Sequence, residues 1–274
     1  MSVVKIIKPI DDRRLVEELA DLWRGRGILA VLIRRDVAVR YRQAALGILW
    51  ALLQPVVTTA IFTVVFVVFI RLPSTDVPYP VFAFAGVVIW QYFNRAVTDG
   101  TLSLVTNSSL ITKVYFPRIV VPLVAPCSAA LDCLLGVVAL LVIALLFRAQ
   151  LQWTAVLVPL VVLFVGLFGY AVGLCLAPLQ AIYRDIGILL PFALQIAMYL
   201  SPIAYPASIV PESLRWLYRL SPIAVMVDAM RWALVGSEPP SAAGVVFTLV
   251  LTALLIWGGL NIFRRLEGTL VDRI

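Results

Sequence analysis

The stretch from Gly47 to Ile70, GILWALLQPVVTTAIFTVVFVVFI, carries no charged residue, and it is preceded by five charges in the nine residues Arg34 to Arg42. As a helix, a run of this length reaches about 36 Å, slightly more than the hydrocarbon core of a bilayer. A soluble fold has no way to hide such a rod, so the stretch predicts a membrane span. The basic flank predicts which end stays in the cytoplasm, because short Lys/Arg-rich segments resist translocation.

Further charge-free runs recur at 77–94, 119–147 (interrupted only by Asp132), 149–183, 186–211 and 239–263. Each has the length to cross a bilayer with tilt or partial re-entrance. Only 14% of the 274 residues are charged and 62% are hydrophobic, against about 25% charged in a soluble domain. The expected fold class is therefore an all-α polytopic membrane protein of six transmembrane helices. With both termini inside, the alternating assignment puts 17 Lys and Arg residues on the inner side and 5 on the outer, in line with the positive-inside rule. The net charge of +7 thus reads as topology, not as a nucleic-acid-binding face. A single domain is expected over 1–274, with a cytoplasmic arm and interface helix at 1–45, the six-span region at 46–263 and a cytoplasmic tail at 264–274.

No cleavable leader is expected in residues 1–27, which are charged and contain no apolar core segment. Between Ile28 and Gln43, Leu29, Ile33, Val37, Tyr41 and Ala44 make a stripe typical of an amphipathic helix on a membrane surface. Asp36 and Arg40 stand i,i+4 at its margin, as do Arg95 and Asp99 near the end of the second span, and each couple is spaced to pair. Two connections exceed a simple turn. The inner one, Asp99–Pro122, contains Asn107-Ser108-Ser109, suited to cap a short helix that Pro117 ends. The outer one, Pro211–Ser241, holds two short helical patterns broken at Ser221-Pro222, expected to dip partly back into the membrane with Trp216, Tyr218 and Trp232 at the interface.

Chemistry is constrained by what is missing. The chain has no histidine, its three cysteines sit singly in apolar runs, and its carboxylates are scattered. No metal site is expected, and no catalytic cluster that would suit a membrane glycosyltransferase or phosphatase. No G-x-x-x-x-G-K-[ST] occurs, so ATP-driven transport would need a separate ATPase subunit, which would bind the ATP and Mg. Lys113-Val114-Tyr115-Phe116-Pro117-Arg118 offers such a subunit apolar anchors and cations, although a positive-inside loop reads the same way. Asp132 is costly within a span and points either to a substrate path or to an interhelical pair. Trp50, Tyr170 and Tyr199 are candidates to present ring faces to a sliding sugar chain, with core packing as the plainer reading.

RRDVAVRYRQAALGILWALLQP at 34–55, ITKVYFPRIVVP at 111–122, YRDIGILLPFALQIAMYLSPIAYP at 183–206 and FRRLEGTLVDRI at 263–274 resemble, in this order, the permease subunit of bacterial polysaccharide ABC exporters. This is the type-2 exporter family that includes O-antigen and teichoic acid translocators. The resemblance implies a homodimer in the cytoplasmic membrane, two copies of a nucleotide-binding ATPase, and a polyprenyl-diphosphate-linked glycan as cargo. It maps the family's interface helix onto Ile28–Gln43, including Arg34, Arg35, Asp36, Arg40, Tyr41 and Arg42. Its main coupling helix falls on the segment before Pro117, with Lys113 to Arg118, and its outer gate on 212–235, with Trp216, Tyr218, Asp228 and Arg231. Ser221-Pro222 stands where family members often have Asn-Pro. A type-2 exporter of a small molecule would share the fold, whereas a secondary transporter would show inverted repeats, which are not evident.

Overall fold

The computed structural model describes residues 25–42, 47, 49–71, 77–113 and 116–273, with backbone alone at 112–113, 208 and 267–273. The described residues are helical and contain no strand. In chain order the helices are α1 (Arg26–Arg42), α2 (Leu49–Thr63, continued by a π-helical turn, Val64–Phe69), α3 (Tyr79–Thr106), α4 (Ser108–Lys113), α5 (Val120–Leu146), α6 (Val158–Ile182), α7 (Ile186–Leu200), α8 (Glu212–Leu220), α9 (Pro222–Val235) and α10 (Ala242–Arg273). A 3₁₀ turn at Trp153–Leu157 leads into α6. The N-terminal arm, Gln43, Ala44 and the extreme C-terminus lie outside the described residues.

Among the described residues, four helical stretches are long and apolar enough to cross a membrane: Leu49–Phe69, Val120–Leu146, Trp153–Ile182 and Ala242–Leu266. Helix α10 packs on α6, and the other three pack around the central helix α3. It lies against α5, α6, α2 and α9, and most of its residues are buried. A helix wrapped by other helices has no lipid-facing side to keep apolar, so Gln91, Asn94, Arg95, Thr98 and Asp99 are tolerated there. By contrast α2, with few buried residues, is apolar nearly all round.

Two expected boundaries are corrected. The second charge-free run ends at residue 94, but its helix continues to Thr106, because Asp99 and its neighbours pair instead of facing lipid. The fifth run extends to 211, but α7 ends at Leu200 and the chain then turns through Ser201–Tyr205, whose carbonyls are taken up by other groups. At 15 residues, α7 covers about 22 Å. The short helix expected after Asn107 is present as α4, and both outer helical patterns are present as α8 and α9, broken at Ser221.

Small residues set the closest helix crossings. A Cβ built on Gly173 would lie 3.4 Å from the Cα of Gly100, and one on Gly169 only 2.8 Å from the Cβ of Ala96. These contacts bring α3 and α6 backbone to backbone, where van der Waals contact replaces the hydrophobic drive that lipid cannot supply. Two apolar cores result. One, at the end carrying α9, gathers Phe84, Val88, Trp90, Phe93, Phe168 and Met230. The other, at the end carrying α4, gathers Leu104, Phe116, Val121, Tyr170, Leu174 and Phe263.

Candidate functional site

Between the two cores, α1, α3 and α5 converge on Asp132. Its Oδ2 accepts hydrogen bonds from Arg40 Nη1 at 2.8 Å and from Arg95 Nη1 at 2.6 Å, and its Oδ1 accepts one from the Tyr41 hydroxyl. Arg40 also binds Asp36 on its own helix at 2.9 Å and approaches Asp99 at 3.7 Å, while Arg95 binds Asp99 one turn away at 3.3 Å. Both pairs expected from i,i+4 spacing are therefore present, and Asp132 joins them. Its side chain is 13% exposed, and its charge is met by these partners.

Helix α1 reaches this point by running beside α5. Ile28 packs on the core that contains Val121, and Arg40, roughly 18 Å further along α1 at 1.5 Å per residue, meets Asp132. Leu29, Ile33, Val37 and Tyr41 are half-buried as the stripe predicts, but the one fully buried side chain of α1 is Leu32, beside that stripe. Arg35 donates to the Asn107 side chain at the end of α3, whereas Arg34 and Arg42 are exposed.

The charged cluster forms one end of a cavity of about 410 Å³ between α2, α3 and α5. Gln54, Gln91, Asn94, Arg95, Asp99 and Asp132 supply its polar wall, and Pro55, Val88 and Gly136 its apolar one. Asp132 thus proves to be paired and, at the same time, a wall of a cavity. Since Ala51 and Gln54 share that cavity, the cluster stands level with the N-terminal half of α2. Sequence reasoning missed Gln54, Gln91 and Asn94. The signal was the i,i+3/i+4 spacing of 91, 94, 95, 98 and 99 in an otherwise apolar run, one polar face on a central helix.

The remaining candidates are scattered. Trp50 on α2 and Tyr199 on α7 are exposed on the helix surface, whereas Tyr170 is buried in the α4-end core and donates to the carbonyl of Ile119 at 3.2 Å. Tyr170 is a packing residue in this chain, because its ring is enclosed by neighbouring helices. In the expected coupling segment, Val114, Tyr115 and the Lys113 side chain lie outside the described residues. Phe116 is 6% exposed and faces the core, while the carbonyls of Pro117 and Arg118 accept the first amides of α5. Of the expected outer gate, Trp216 on α8 is exposed, Tyr218 shares a 3.0 Å hydrogen bond with Tyr205, and Asp228 is half-buried. Arg231 is not at a gate surface: it is 2% exposed and donates to the carbonyls of Phe82, Pro202 and Ile203. The non-helical turn after α7 leaves the Pro202 and Ile203 carbonyls without helical partners, and the arginine satisfies them while also reaching the Phe82 carbonyl within α3.

The sequence profile of the ABC-2 type transporter family matches residues 28–235, from α1 to the end of α9. The chain belongs to this family. As an ABC-2 type transporter it is the multi-pass membrane, permease part of an ABC transporter, a class that works with an ATPase subunit. It is 28% identical over 264 residues to the O-antigen export system permease protein RfbA of Myxococcus xanthus, covering 95% of this chain and 99% of that protein. It is also 26% identical over 249 residues to the O-antigen export system permease protein RfbA of Klebsiella pneumoniae, covering 88% and 92%. The matched family region includes α1, the Asp132 cluster, the cavity and the α8–α9 pair.

Proposed function

We propose that this chain is the permease subunit of an ATP-driven exporter that carries a lipid-linked cell-surface polysaccharide across the cytoplasmic membrane. The observation that carries the reading is the similarity to an O-antigen export permease over 99% of that relative's length. A match over nearly the whole of both chains is not confined to one shared segment. The chain acts as a homodimer with two copies of a nucleotide-binding ATPase, which bind the ATP and Mg. Six spans leave both termini cytoplasmic, with α3 and α7 as the second and fifth, and the α4 end faces the ATPase. The cargo is a polyprenyl-diphosphate-linked glycan.

In this reading α1 and the segment from α4 to Arg118 receive the motion of the ATPase. Because Phe116 is anchored in the core beside Leu104 and Val121, a push on that segment passes into α3 and α5 as a displacement of packed helices. The exposed aromatic surface of α2 and α7, with Trp50 and Tyr199, faces the passage at the dimer interface.

The test is affinity purification of the tagged chain from its native membranes in mild detergent, together with assay of surface glycan in a strain lacking the chain. A P-loop ATPase recovered at about one copy per copy of this chain, and surface glycan lost on deletion, are the expected results. A folded chain that reproducibly purifies alone, or surface glycan that persists without it, overturns the proposal.

A further inference from the structure

The ion pairs around Asp132 are duplicated in a way that simple cross-bracing does not require. Asp132 has two cationic partners from two helices, Arg40 of α1 and Arg95 of α3. Each of those cations has a second carboxylate on its own helix, Asp36 for Arg40 and Asp99 for Arg95. If α1 moves away from α5, Arg40 leaves with Asp36, and Asp132 keeps Arg95. Arg95 then serves Asp99 as well as Asp132, and Asp99 gives up its approach to Arg40, so every carboxylate keeps a cationic partner in either arrangement. That lowers the penalty that normally holds a buried ion pair together, since the cost of breaking one lies chiefly in the uncompensated charge left behind.

The same residues close one end of the cavity between α2, α3 and α5, which Arg95, Asp99 and Asp132 help to line. A carboxylate that can pass from shared to single pairing thus sits where α1 meets the cavity wall. We propose that Asp132 is a positioning residue for transport. Its pairing with Arg40 and Tyr41 holds α1 docked beside α5, and transfer of the carboxylate to Arg95 alone is the step by which displacement of α1 reshapes the cavity. The inference rests on the export reading, because the ATPase supplies the displacement.

The test uses the complete complex of this chain with its ATPase in lipid nanodiscs. Cys127, Cys133 and Cys175 are replaced by alanine, and spin labels are placed at V39C on α1 and L131C on α5, both exposed positions. The label distance should differ by several ångströms between the nucleotide-free and ATP-trapped complexes. In R40Q, which leaves Arg95 on Asp132, the distance should take its displaced value without nucleotide. In D132N, ATP hydrolysis should persist while export per ATP falls about tenfold, with D132E restoring it. A bracing residue would lower the amount of complex without altering that ratio.

A label distance that ignores nucleotide while the complex exports glycan overturns the inference, as does wild-type export per ATP in both R40Q and D132N. A complex that shows the nucleotide-dependent shift but exports no glycan refutes the export reading and leaves the transfer intact. If D132N is not recovered from membranes, R40Q decides the matter by the label distance alone.

Discussion

The guanidinium of Arg231 on α9 lies 3.4 Å from the centre of the Phe82 ring on α3, and its Nε donates to the carbonyl of that same residue at 3.2 Å. One side chain therefore holds a residue by both ring and backbone, while its other nitrogens reach the carbonyls of Pro202 and Ile203 at 2.9 and 2.7 Å. The inner of the two short outer helices is bolted to the central helix and to the turn after α7. The other, α8, has no buried residue and meets α9 at Ser221-Pro222.

Replacing Arg231 by methionine keeps much of the volume but leaves the Pro202 and Ile203 carbonyls without a donor. The expected loss of stability is on the order of 3 kcal/mol, since stranded buried acceptors cost about 1–3 kcal/mol each and the site can relax in part. Lysine should recover only part of it, because an ammonium cannot serve three directed acceptors and stack on a ring together. Thermal unfolding in detergent, with the wild-type chain as reference, measures both.

Gly86 provides an independent check on the same junction. A methyl group there would stand 2.7 Å from the Ile203 carbonyl oxygen and 2.9 Å from Arg231 Nη2. Gly86→Ala should lower the unfolding temperature by pushing α3 away from the turn, at a cost of about 1–3 kcal/mol for overpacking. Gly258→Ala on α10 meets nothing within 4 Å and should stabilise by about 0.5–1 kcal/mol through helix propensity. Equal effects of the two substitutions would contradict the packing described.

How far the sequence reaches is visible in particular residues. Charge-free runs located α2, α5 and the start of α10 to within a few residues, because lipid-facing helices must be apolar along their length, whereas α10 runs on to Arg273 through the expected tail. The far end of α3 and the end of α7 escaped, since both depend on tertiary partners: Asp99 is carried by Arg95 and Arg40, and the 201–205 turn by Arg231. The i,i+4 couples were legible because they lie on one helix. Their union through Asp132 was not, because Arg40, Arg95 and Asp132 are brought together only when α1 packs along α5 and α3. The resemblance put Arg231 in an outer gate, and its burial escaped for a related reason: a lone arginine among apolar residues does not reveal that unpaired carbonyls await it.

Phe116 sits in the segment expected to meet an ATPase, yet it is buried with Leu104 and Val121. Phe116→Ala should cost about 3–5 kcal/mol, as for other buried aromatics. Its signature is a lower unfolding temperature for the chain purified without its ATPase. An alanine variant as stable as wild type, but unable to bind the ATPase, would show that the ring points outward.

The aromatic candidates for the substrate path separate by the same logic. Trp50→Ala and Tyr199→Ala remove rings that are 53% and 65% exposed, so the stability of the isolated chain should change by no more than about 0.5 kcal/mol. If these rings line the passage, glycan export falls in both variants at unchanged protein level. Tyr170→Phe is the contrasting case. It deletes one hydroxyl that donates to Ile119 and should cost about 1 kcal/mol, with export unchanged once the amount of protein is matched. Measured side by side as melting temperature and as surface glycan per unit of protein, the three variants should fall into two classes. A Tyr170→Phe chain of normal stability that fails to export would return this residue to the path and place a route for the glycan through the α4-end core.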